Sequence, residues 1–76
     1  MKEMLIHLNS INDVKEFVNA AVSCPCELYL ISGRYIVDGK SIMGVFSLDL
    51  SNNVRLQIQG EKAEEYSERF RPFVVE

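Results

Sequence analysis

The chain has little of what reactive chemistry draws on. Its 76 residues include a single histidine, His7, and two cysteines, Cys24 and Cys26. Neither cysteine has a third or fourth ligand at zinc-site spacing, and His7 stands alone far off in sequence, so no metal is expected. No paired acid and base and no nucleophile beside a histidine stand out, so neither an enzyme nor a cofactor is expected. No apolar run reaches the roughly 18 residues of a membrane span, and the N-terminus carries no signal-peptide pattern. The chain is therefore expected in the cytoplasm and off the membrane. Charge is also sparse: eight Lys and Arg lie scattered in a chain of net charge −3. A phosphate backbone needs a basic face, so nucleic acid is not an expected partner.

The thiols sit in Cys24-Pro25-Cys26, too close for a disulfide that staples distant segments. An even cysteine count reads as a disulfide scaffold only in a secreted context. Both are expected to be reduced, small apolar residues of the core.

What is present suits one small globular domain spanning residues 1–76. Apolar residues make up 47% and charged residues 25%, ordinary values for such a fold. A chain this short buries only about 60% of its unfolded surface, so its stability is expected to be modest.

Met4, Ile6 and Leu8 alternate with Leu5 and His7, which predicts a first strand with His7 on the face away from the core. Asn9-Ser10 breaks it. From Ile11 the period changes, with Ile11, Val14, Phe17, Val18, Ala21 and Val22 on one helical stripe. Ser10, with Asp13 three residues on, is a capping-box variant that opens this helix. Pro25 closes it. Cys26 to Ile31 and Tyr35 to Asp38 predict a hairpin around Ser32-Gly33-Arg34, with Cys26, Leu28, Leu30, Tyr35 and Val37 on its inner side. Ser41 follows the turn Asp38-Gly39-Lys40 and is placed to cap a short helix through Ile42, Met43, Val45, Phe46 and Leu48. Val54, Leu56 and Ile58 alternate with Arg55, Gln57 and Gln59, the clearest half-buried strand. Gly60 ends it. A last helix is expected from about Glu61 to Phe70, with Ala63, Tyr66 and Phe70 inward and Pro72 as its stop.

The order strand, helix, strand, strand, helix, strand, helix predicts an α+β open-faced sandwich. A four-stranded antiparallel sheet should carry three helices on one face. The expected core is Ile11, Val14, Val18, Leu28, Leu30, Val37, Leu48, Val54, Leu56, Tyr66 and Phe70. No repeat, linker or low-complexity segment is visible.

One stretch carries a specific likeness. Gly39-Lys40-Ser41-Ile42-Met43-Gly44-Val45-Phe46-Ser47-Leu48 resembles the segment around the regulatory serine of HPr proteins from Gram-positive bacteria. HPr is the histidine-containing phosphocarrier of the bacterial phosphoenolpyruvate:sugar phosphotransferase system. The element order, the spacing from Ser10 to Leu48 and the position of Gly60 agree with that family over nearly the whole chain. The resemblance implies an HPr-like fold. It also implies a switch at Ser41, the position phosphorylated by HPr kinase/phosphorylase, and a partner surface at Ile42, Met43 and Phe46. The family usually has glycine in a left-handed conformation at the exit of this helix, where this chain has Asp49.

The carrier chemistry does not transfer residue by residue. The family's Gly-x-His-Ala-Arg-Pro motif falls on Ser10-Ile11-Asn12-Asp13, so Ser10 and Asn12 stand where histidine and arginine are used. A serine ester lacks the transfer potential of a phosphohistidine, and Asp13 would repel an incoming phosphate. Two readings follow. One is a regulatory HPr-like protein of sugar phosphotransfer or carbon-catabolite control, with HPr kinase/phosphorylase or a catabolite-control regulator as partner. The other is a protein-binding module that keeps only the fold.

Overall fold

The computed structural model describes residues 1–75. Four strands, β1 (Lys2–Ile6), β2 (Glu27–Ser32), β3 (Tyr35–Asp38) and β4 (Val54–Gln59), form one sheet in the order β1-β4-β2-β3. All three pairings are antiparallel. The helices are α1 (Ile11–Val22), α2 (Ile42–Phe46) and α3 (Ala63–Tyr66), the last running directly into a 3-10 helix at Ser67–Phe73.

Period-two alternation builds the layers. Val54, Leu56 and Ile58 are buried while Arg55 between them is exposed. The register sets Met4, Leu56, Leu30 and Val37 side by side across all four strands. That face packs on Val14, Phe17, Val18 and Ala21 of α1, Val45 of α2, Ala63 of α3, and Phe70 and Phe73 of the 3-10 helix. Among the described residues the opposite face carries no helix. The expected open-faced sandwich is the observed fold.

Phe17 is the hinge-pin of the core. It is fully buried, with its ring 5.3 Å from Phe70 and 5.7 Å from Phe73. One side chain thus joins the first helix to the last segment, and burying its ring contributes about 1.5–3 kcal/mol.

Local chemistry explains the element starts. Ser10 is extended, and its Oγ accepts from Asp13 N at 3.1 Å. Asp13 Oδ2 in turn accepts from Asn9 N at 2.9 Å. The reciprocal bond therefore reaches one residue further back than in a standard capping box. Gly33, at φ 59, supplies the left-handed residue of the tight hairpin turn.

Several expectations are corrected. Ile11 and Val22, at the two ends of the α1 stripe, are 65% and 59% exposed; the helix overhangs the sheet at both ends. Tyr35 lies on the same face of β3 as Val37 but is 72% exposed, because the helical layer does not extend over the hairpin tip. Val37 and Tyr66 are only half-buried, packed against the core margin. The first strand ends at Ile6, although Leu8 is still buried.

The last helix departs most. Its α-helical part stops at Tyr66, and Pro72 lies inside the 3-10 helix instead of ending it. Ser67, Phe70 and Phe73 are all buried, a spacing of three that matches the three residues per turn of a 3-10 helix. Burying both phenylalanines on one side favours the tighter coil.

Candidate interaction site at the Ser41 turn

The turn before α2 is built by close backbone approach. Gly39 N donates to Leu28 O at 2.8 Å, and a Cβ on Gly39 would stand 3.2 Å from Leu28 Cβ. Asp38 holds the turn twice, its Oδ1 accepting from Lys40 N at 2.9 Å and its carbonyl from Ser41 N at 3.1 Å. Lys40 reaches away from Ser41, donating from Nζ to Cys24 O at 2.9 Å and tying the turn to the end of α1. Ser41 is extended and half-buried, and its Oγ accepts from Gly44 N at 3.1 Å. It caps α2 as the sequence predicts. A side chain on Gly44 would meet Ser41 Oγ at 3.3 Å and Val37 Cβ at 3.4 Å. The small residue there lets the helix lie on β3.

The flanking apolar residues face outward. Met43 is 77% exposed, and Ile42 and Phe46 are 37% and 39% exposed, whereas Val45 of the same helix is fully buried. Helix α2 packs beside α1. Ile11, at the first turn of α1, adds a further exposed apolar residue that the periodicity had assigned to the core. The helix exit holds no left-handed residue, since only Gly33 and Gly60 have positive φ among the described residues. Asp49 instead closes the turn with its carboxylate, which accepts from Ser51 N at 3.1 Å and Ser51 Oγ at 2.6 Å. These bonds, with a further one from Asn52, hold the Asp49 carboxyl below its ordinary range.

Ser10 and Asn12 stand at the start of α1. The Ser10 hydroxyl caps the helix and the Asn12 amide donates to Glu16 Oε2 at 3.0 Å. His7 is half-exposed, outside the strand, with Nδ1 2.9 Å from Asn53 Oδ1.

Cys24 and Cys26 are free and buried. Burial first, then the neighbouring Cys24 thiol, pushes the Cys26 thiol above its ordinary range. A protonated, enclosed thiol is a poor nucleophile. Among the described residues no group of three or more His, Cys, Asp or Glu side chains is placed to hold a metal ion. No described helix is long and apolar enough to cross a membrane.

The family model described as the PTS HPr component phosphorylation site matches residues 12–75, and the chain belongs to that HPr family. The match opens at Asn12, two residues after Ser10.

Solved structures agree on the fold. HPr-C-His from Thermoanaerobacter tengcongensis is 27% identical with a TM-score of 0.85, covering 97% of this chain and 91% of that one. The phosphocarrier protein HPr of Bacillus anthracis is 20% identical with a TM-score of 0.76, covering 97% and 96%. Crh, the catabolite repression containing protein of Bacillus subtilis, is 26% identical with a TM-score of 0.70, covering 93% and 88%. No curated protein matches the chain.

Proposed function

We propose that this chain is a regulatory, non-catalytic HPr-like protein of the cytoplasm that does not carry phosphate on histidine. In this reading Ser10 and Asn12 occupy the positions of the family's acceptor histidine and its arginine partner. Ser10 serves as a helix cap, and His7 is engaged by Asn53.

Regulation runs through Ser41. The observation that carries this is the construction of its turn: a half-buried capping hydroxyl directly beside exposed Met43 and half-exposed Ile42 and Phe46. A phosphate on Ser41 puts close to two negative charges next to an apolar surface. A partner that docks by hydrophobic contact is weakened, and one presenting Arg or Lys is favoured. HPr kinase/phosphorylase is the modifying enzyme in this proposal and a catabolite-control regulator the reader. The relation to Crh, a catabolite repression protein in its own organism, supports that direction.

A second reading, a binding module without any role in phosphotransfer, draws on the same hydrogen bond, since capping alone accounts for a serine at this position. Binding separates the two. Pull-downs with the wild type and with Ser41→Asp should recover different partners if Ser41 is a switch. Identical partners for both would favour the inert module.

A further inference from the structure

Lys40 stands directly before Ser41, yet its charge is used elsewhere. Its Nζ donates to Cys24 O at 2.9 Å in a part-buried bond between residues 16 positions apart. Among the described residues no other hydrogen bond ties the Ser41 turn to the end of α1.

The end of α1 has a use for that cation. A helix C-terminus carries unpaired carbonyls and a partial negative charge, and α1 has no basic residue in its own last turn. Two distant residues supply one each. Arg69 Nη1 donates to Ser23 Oγ at 2.7 Å, and Lys40 takes the carbonyl of the next residue. Lys40 also works against the upward shift of the Cys26 thiol, so its charge lies beside the Cys24-Pro25-Cys26 segment as a whole.

We propose that Lys40 is a two-position latch, resting on Cys24 O while Ser41 is unmodified and moving to the phosphate when Ser41 carries one. The proposal rests on Ser41 being a phosphorylation site. The competition for Lys40 is uneven. Phosphoserine brings close to two negative charges and three strong acceptor oxygens, whereas Cys24 O is one neutral acceptor. Both bonds use the same ammonium donor, but only the phosphate adds attraction between full charges. The backbone already holds the two residues side by side, with Lys40 N on Asp38 Oδ1 and Ser41 N on Asp38 O. Only the flexible four-carbon stem has to turn. Aspartate at position 41 does not imitate this, because its short carboxylate is committed to Gly44 N, as the serine oxygen is.

The consequence lies on a second element. Once Lys40 leaves, Cys24 O loses its partner and the α1 terminus loses one of its two borrowed cations. The bond from Cys24 N to Ala21 O, 3.0 Å long, then opens more often while the fold stays intact. Modification at Ser41 is thereby reported at the end of α1.

The test uses the 76-residue chain synthesised with phosphoserine at position 41, which needs no kinase. A kinase that ignores Ser41 would remove the regulatory reading; the latch is decided by the following measurements. Phosphorus NMR titration should place the second phosphate pKa about 0.3–0.7 lower in the phosphorylated wild type than in phosphorylated Lys40→Met. Amide exchange at Cys24 should quicken about tenfold on phosphorylation of the wild type. In Lys40→Met that amide should exchange fast from the start and ignore the phosphate. Circular dichroism should be unchanged throughout. Equal phosphate pKa values in the two chains would overturn the proposal, and so would a Cys24 amide in the wild type indifferent to the phosphate. If Lys40→Met does not fold, exchange at Cys24 in the wild type with and without phosphate decides by itself.

Discussion

Ser41→Ala and Ser41→Asp, compared side by side, ask whether a charge at Ser41 acts on the surface or on the fold. The hydroxyl accepts from Gly44 N at 3.1 Å and caps a helix of only five residues. Alanine leaves that N–H without its partner in a half-buried position. Loss of such a cap costs about 1 kcal/mol, which in a domain of this size lowers Tm by about 4–8 °C. Aspartate offers a carboxylate oxygen in the same role and ranks with serine as a cap. It should stay within about 0.5 kcal/mol of the wild type, its charge being tolerated at a helix start. Thermal unfolding followed by circular dichroism, with urea titration as a second measure, reads both variants. An alanine variant as stable as the wild type would show that the cap contributes nothing. An aspartate variant as unstable as the alanine one would show that charge at Ser41 damages α2, and the surface-switch reasoning would fail.

Two further outcomes follow from the core. Phe17→Ala removes the ring that joins Phe70 and Phe73 and should cost about 3–5 kcal/mol by urea titration, a large part of the roughly 4–11 kcal/mol available to a chain this long; a loss under about 1 kcal/mol would mean that those contacts do not hold the 3-10 helix in place. The thiols should resist a bulky reagent until the protein unfolds. With the Cys26 pKa raised in the folded state, the unfolded chain gives up this proton first, so the thiol's contribution to stability is complete below the ordinary thiol pKa of about 8.5 and falls as pH rises above it. A Cys26→Ala chain should lose that alkaline decline; an unchanged profile would contradict it.

The sheet was legible because alternation survives into the fold. Val54, Leu56 and Ile58 announce both a strand and its buried face, and Leu28 with Leu30 do the same for β2. The first helix was legible in its middle only. Periodicity says which way Ile11 and Val22 point but not where the sheet beneath them ends. The last segment misled because Ala63, Tyr66 and Phe70 fit a 3.6-residue period, while the buried set after Tyr66 is Ser67, Phe70 and Phe73 at three. Packing against Phe17 decides between the two, and that contact spans most of the chain.

The Ser41 turn was readable from its residue types. Gly39 and Gly44 proved to be required by contacts with Leu28 and with Ser41 and Val37. The Asp49 exit was not legible, since a side-chain turn onto Ser51 replaces the left-handed residue usual in the family. The bond from Lys40 to Cys24 could not be read at all, because it depends on where the end of α1 comes to rest against the turn.

The account stands or falls on which phosphate donor this chain accepts. Intact-mass measurement after incubation with enzyme I and phosphoenolpyruvate, and in parallel with ATP and an HPr kinase from the same cell, asks that directly. The account predicts no mass gain in the first reaction. In the second it predicts one acid-stable phosphate, absent in Ser41→Ala. An acid-labile phosphate from phosphoenolpyruvate that disappears in His7→Ala, with Ser41 left unmodified by the kinase, would contradict it.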